Sequence, residues 1–246
     1  MQSFKTFSFA SLLLIASVIS AQTKTTSPFN RIIVSPYIQV TLVKGDEESV
    51  TVNEIHVDNS KLHIEVTDKT LRIYLDGAKD FPKNEKDYSN GYKETHRLYK
   101  NTSVVATITY KTLEALSFRG EEDQLCKSPI NGNKLLLKIY GETNVTFNEM
   151  NLEKLAATLY GESTLEIKAG SIKDQKYTCY GEGKINTLAI DGSTSRVTAF
   201  GRANFKLNVA DRIKITSYGE AELYYKGNPA IEKGLNFGDM VINKLD

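Results

Sequence analysis

The chain has 246 residues, 40% of them hydrophobic, which is enough for one large domain or two small ones built around a real core. Its 31 basic residues are balanced by 30 acidic ones, and a net charge of +1 argues against a nucleic-acid binder that works through a broadly basic surface. Tryptophan is absent while tyrosine occurs 13 times, four of them at one position of a repeat: Tyr140, Tyr160, Tyr180 and Tyr218.

Residues 1–21 read as a signal peptide. Lys5 supplies the positive start, residues 7–19 are mostly apolar, and Ile19-Ser20-Ala21 offers a small-residue cleavage site before Gln22. The apolar run is shorter than the ~20 residues a spanning helix needs, and no later segment replaces it. No cysteine follows the cleavage site to carry a lipid anchor. The expectation is export to the periplasm, to the outer membrane or into the medium, with no membrane span.

From residue 22 a single β domain is expected. Its first part, residues 28–75, contains short strand-like runs at 32–34, 37–43, 49–57, 61–66 and 71–75, punctuated by Gly45-Asp46 and Asp58-Asn59 as turns. Residues 76–103 are polar, rich in Lys and Tyr and without periodicity, and read as a long loop or insertion. Residues 104–246 carry a regular repeat.

The repeat is Phe118-Arg119-Gly120-Glu121, Tyr140-Gly141-Glu142, Tyr160-Gly161-Glu162, Tyr180-Gly181-Glu182, Phe200-Gly201-Arg202 and Tyr218-Gly219-Glu220, with glycines 21, 20, 20, 20 and 18 residues apart. Apolar residues sit at even offsets from each glycine: Leu135, Leu137, Ile139, Val145 and Phe147 around Gly141, or Leu155, Ala157, Leu159, Leu165 and Ile167 around Gly161. Odd offsets are mostly polar. Such period-two alternation marks half-buried strands. A small residue follows two positions after the glycine: Thr143, Ser163, Gly183, Ala203 and Ala221. Parity puts glycine and small residue together on the inside of a corner, with a looser stretch such as 148–154 closing each turn. Turns of equal length stack as parallel coils ~4.8 Å apart. The predicted fold is therefore all-β, a parallel β-solenoid of about 20 residues per coil; a propeller blade would need about 40.

The opening Phe29-Asn30-Arg31-Ile32-Ile33-Val34, followed by Ile38-Gln39-Val40-Thr41-Leu42, resembles the start of the "putative auto-transporter adhesin, head GIN domain" family, common in exported proteins of Bacteroidetes. That family carries repeated Ser-Gly-Ser-Gly-Asp-hydrophobic corners, and Gly161-Glu162-Ser163-Thr164-Leu165 occupies the same frame. Tyr225-Lys226-Gly227-Asn228-Pro229, with Gly234 and Gly238, fits its final turn. The resemblance spans about residues 28–246 apart from 76–103. It implies a β-helical, exported protein of adhesin type and brings no catalytic residues with it. The departure lies at the corner, where family serines become Tyr before the glycine and Glu after it.

Two outward columns follow from the register. Tyr140, Tyr160, Tyr180, Phe200 and Tyr218 form an aromatic ladder that either stabilises the stack or meets a glycan or a cell-surface protein. Glu142, Glu162, Glu182, Arg202 and Glu220, with Glu121 before them, form a charged column in which Arg202 can pair with both neighbours. These carboxylates are expected to be solvated rather than to hold Ca²⁺, and neither metal nor cofactor is expected. A polysaccharide-degrading enzyme on a β-helix is the alternative, but a glycosidase needs two carboxyls in unlike environments and this column repeats one environment. His56, His63 and His96 are the three histidines, and His56 and His63, on strand-like runs, have no cluster of acids or cysteines at metal-ligand spacing. Cys126 and Cys179 fall between two and three coils apart, beyond the ~7 Å a disulfide spans, and are expected as free thiols. The sequence thus points to a non-enzymatic binding protein of the cell envelope.

Overall fold

A computed structural model describes residues 22–80, 84–87 and 94–246. The signal peptide read at residues 1–21 lies outside them, as do parts of the 76–103 stretch and the His96 side chain. The described chain is nearly all-β, with 70% of it in strands, and winds into a β-solenoid of about 6 turns with ~20 residues per coil.

The regular coils stack in the register that the glycines predict. Gly120 pairs with Gly141, and Gly161, Gly181, Gly201 and Gly219 follow in line as parallel cross-strand partners. Each coil has three straight segments, as in Met150–Gly161 followed by Thr164–Ile167. Within Met150–Gly161 the parity slips once: Leu152 and Leu155 are both buried, with Glu153 and Lys154 exposed between them. That slip is a second corner. The closing stretch expected to be loose is therefore mostly strand, because its inward Met150 and Leu152 bury against Ile130 and Ile172 of adjoining coils. Full burial of each such side chain contributes about 1.5–3 kcal/mol, and repetition along the axis makes one continuous core.

The corner glycines are not inside the bend, which corrects the parity argument. Only the residue two positions later is buried: Thr143, Ser163, Gly183, Ala203 and Ala221. Gly161 itself is exposed and has φ +95°, and a Cβ there would lie 2.6 Å from the Gly141 carbonyl oxygen of the previous coil. Glycine is required because the backbones approach along the axis in a left-handed conformation. Thr143 and Ser163 add to the corner by donating their hydroxyls to Gly120 and Gly141 carbonyls at 2.8 and 2.9 Å.

Before residue 115 the coil order departs from chain order. Arg31–Val34 lies between Thr70–Leu75 and Ala115–Gly120, all parallel. Ile38–Lys44 likewise lies between Val104–Tyr110 and Gln124–Cys126. The coil made from Thr70–Leu75 and Val104–Tyr110 is thus nearer the end of the stack than the one made from residues 31–44. Ser49–Ile55 then pairs antiparallel with Val104–Tyr110, and Gln22–Thr25 with Ser49–Ile55. Leu62–Thr67 folds back antiparallel on Thr70–Leu75. These antiparallel strands close that end. The 76–103 stretch leaves the first coil where later coils carry their glycine corner, and includes a two-stranded antiparallel pair, Asn84–Asp87 with Glu94–Arg97.

Cys126 and Cys179 are free and buried. They sit in different columns, Cys126 beside Phe147 and Cys179 between Leu159 and Ala199. Burial pushes the Cys126 thiol up to about 11 and that of Cys179 up to about 12, so both behave as small apolar side chains.

Candidate binding face

The rings of Tyr140, Tyr160, Tyr180, Phe200 and Tyr218 stack at centroid spacings of 4.7, 5.0, 4.7 and 4.9 Å, with interplanar angles of 2–6°. Strand spacing dictates this separation, because one residue per coil repeats at the same rung. Two members were missed in the sequence. Phe237 continues the column at 5.6 Å from Tyr218, and the Arg119 guanidinium lies 5.5 Å from the centre of the Tyr140 ring at the other end. The signal was present, since Arg119 precedes Gly120 and Phe237 precedes Gly238 as each tyrosine precedes its glycine.

Stacking has a chemical consequence. Ring faces inside the column are covered by neighbouring rings, so the surface receives ring edges and the phenol hydroxyls of four tyrosines. Tyr180, Phe200 and Tyr218 are 40, 37 and 39% exposed, consistent with an edge-on column. The ladder can therefore offer a row of hydrogen-bond donors and acceptors, while sugar rings cannot slide between its members.

The charged column runs beside it across the glycine floor. Arg202 donates to Glu220 at 2.8 Å and to Glu182 at 3.2 Å, the pairing expected from the register. Arg97, from the insertion, pairs with Glu121 at 2.9 Å. Glu142 and Glu162 stand between these two arginines as exposed neighbours with no ion pair among the described residues. Between the columns lies a shallow groove, about 310 Å³ beside Gly120, Gly141 and Gly161 and about 400 Å³ over Gly181, Gly201 and Gly219. All ten residues singled out from the sequence, from Tyr140 to Glu220, line this ridge.

The insertion anchors the ridge at its start. Asp80 accepts hydrogen bonds from Arg72 and Arg119, which hold its carboxyl below the usual carboxylate range. Glu122 occupies the buried corner position that Thr143 holds one coil later. Burial pushes its carboxyl up, opposed by hydrogen bonds from backbone N–H groups of Glu121, Glu122 and Tyr37. Elsewhere, His63 meets Asp76 at 2.6 Å and stacks on Tyr74, and His56 lies 3.6 Å from Glu54. Among the described residues no three His, Cys, Asp or Glu side chains converge as metal ligands, and no helix is long and apolar enough to cross a membrane.

No curated protein sequence matches the chain. Among solved structures, it is similar to a putative adhesin of Bacteroides fragilis, with 17% identity and a TM-score of 0.75 over 94% of this chain and 98% of that one. A putative adhesin of Parabacteroides merdae matches with 19% identity and a TM-score of 0.64, over 92 and 96% of the two chains. A protein of Parabacteroides distasonis described as a putative lipid binding protein matches with 18% identity and a TM-score of 0.65 over the same shares. At such identities the likeness is one of fold. The family description "Putative auto-transporter adhesin, head GIN domain" matches residues 28–229, most of the chain and nearly all of its coils. The glycine-cornered solenoid and that match agree, and the chain belongs to the head GIN domain family of auto-transporter adhesin-like proteins.

Proposed function

We propose that the protein is a non-enzymatic binding module of the cell envelope, exported by its N-terminal segment, that engages a glycan or a cell-surface protein through the tyrosine–glutamate ridge. One observation carries this reading: an aromatic ring and a charged side chain flank the glycine in register on successive coils along one exposed ridge, Tyr with Glu on all but the coil of Phe200 and Arg202. A repeating surface suits a repeating or extended partner, because many weak contacts act together once the first is made. The tyrosine hydroxyls supply hydrogen bonds at strand spacing, and the neighbouring carboxylates accept bonds from hydroxyl or ammonium groups. The family to which the chain belongs, and the adhesin-like proteins that share its fold, support a role in attachment.

The test is a glycan array probed with the wild type and with the double variant Tyr160→Ser/Tyr180→Ser. Loss of a wild-type signal in a variant that remains folded supports the ridge as the contact. An unchanged binding profile refutes it.

A further inference from the structure

A second groove lies on the other flank of the aromatic ladder, at the second corner of the coils, with a volume of about 470 Å³. Six cations line it, Lys134, Lys154, Lys176, Arg196, Arg212 and Lys214. Only two carboxylates join them, and both are engaged: Asp174 accepts from Thr194 at 2.8 Å, and Glu232 pairs with Arg212 at 3.4 Å. Lys176, Arg196 and Lys214 are direct cross-strand partners on three successive coils. All three are exposed, and none has an ion pair among the described residues.

Like charges placed opposite one another on adjacent strands destabilise a sheet. On the ridge the molecule relieves this cost, with Arg202 set between Glu182 and Glu220. In the groove Lys214 has Glu232 opposite it on the next coil, but Lys176 and Arg196 have no carboxylate opposite them on either side. Three stacked cations therefore await an external anion, and their ~4.8 Å repeat sets its form: negative groups spaced along a chain. The column of Thr158, Thr178, Thr198 and Thr216 separates the cations from the tyrosines on the same outward face, adding hydroxyls that suit a polyhydroxylated ligand. The glutamates lie beyond the tyrosines, so their repulsion steers an anion away from the ridge and toward the groove.

We propose that this groove binds an anionic polysaccharide, bearing carboxylate or sulfate groups, laid along the solenoid axis across Lys176, Arg196 and Lys214. The inference stands independently of the ridge reading, since it uses different residues and a ligand of opposite charge preference. Immobilised polygalacturonate, dextran sulfate and neutral dextran would be probed with three proteins: wild type, Lys176→Gln/Arg196→Gln/Lys214→Gln, and Tyr160→Ser/Tyr180→Ser.

Wild type should hold one or both anionic polymers and release them as salt shortens the Debye length. The triple variant should lose at least about tenfold in affinity, the equivalent of one charge-assisted hydrogen bond, with its melting temperature held or raised. The tyrosine variant should bind the anionic polymers as wild type does. Which polymer binds more tightly decides between carboxylate and sulfate. Unchanged binding by the triple variant overturns the proposal, as does equal binding to neutral dextran. Tighter binding to an oligothymidylate or to phosphatidylglycerol vesicles than to either anionic polymer overturns it as well.

Discussion

The aromatic and the charged columns of the ridge share one register, one spacing and the same row of glycines, yet their energetics run in opposite directions. At strand spacing, rings fall at stacking distance and each added coil contributes another favourable contact. At the same spacing carboxylates repel; Arg97 at Glu121 and Arg202 between Glu182 and Glu220 offset that repulsion, while Glu142 and Glu162 stand without an ion pair among the described residues. Repetition is thus not neutral toward chemistry. A solenoid multiplies whatever a side chain does to its own copy.

The largest effect should come from the glycine row that both columns depend on. Gly161→Ala forces a side chain into a left-handed backbone and against the Gly141 carbonyl, and should cost about 1–3 kcal/mol in urea denaturation. Gly132→Ala is the control, since a Cβ there meets only Leu152 at 3.8 Å. It should be neutral or stabilise by up to about 1 kcal/mol. Equal losses in both variants would refute the steric account.

Next comes the ladder. Tyr160→Ser/Tyr180→Ser removes three stacked contacts, Tyr140 to Tyr160, Tyr160 to Tyr180 and Tyr180 to Phe200. At about 0.2–1 kcal/mol per cross-strand pair the melting temperature should fall, whereas Glu142→Gln/Glu162→Gln should hold or raise it. If both double variants melt alike, the contrast between the columns fails. Arg202→Gln should lower the melting temperature by less than the tyrosine pair, and the difference from wild type should shrink in high salt.

The smallest effect is acid dependence at the shared end of the columns, where Asp80 joins Arg119. Its folded-state pKa lies below the unfolded value of ~3.9, so the stability it contributes is present above that value. That stability is lost as pH falls through the depressed folded value. Denaturation midpoints between about pH 5 and 2 should drop more steeply in wild type than in Asp80→Asn. Parallel pH profiles would remove Asp80 from the account of how the ladder is anchored.

Much of the ridge was legible because it repeats. Each glycine, with its aromatic and charged neighbours, announces the rung on which it sits, so spacing alone assigned ten residues to two columns and paired Arg202 with Glu182 and Glu220. The corner was read less well. Parity treats a strand as straight, but Gly141 and Gly161 take positive φ, and there the alternation of inside and outside is interrupted. The uninterrupted strand from Met150 was obscured by the slip at Glu153 and Lys154, which mimics a loop in any pattern of period two.

By itself the sequence determined the coil length, the parallel register from Gly120 to Gly219 and the core columns of the two strand segments flanking each glycine, because those follow from short-range periodicity in a fold whose contacts lie one repeat away. Only the tertiary structure decided the rest. The placement of residues 31–44 between strands that come later in the chain depends on pairings with no local signature. The capping of the ridge by Arg97 and Asp80 requires an insertion of irregular sequence to fold back over it. The aromatic column shows edges rather than faces because neighbouring rings cover one another, a property of stacked coils that no single repeat possesses.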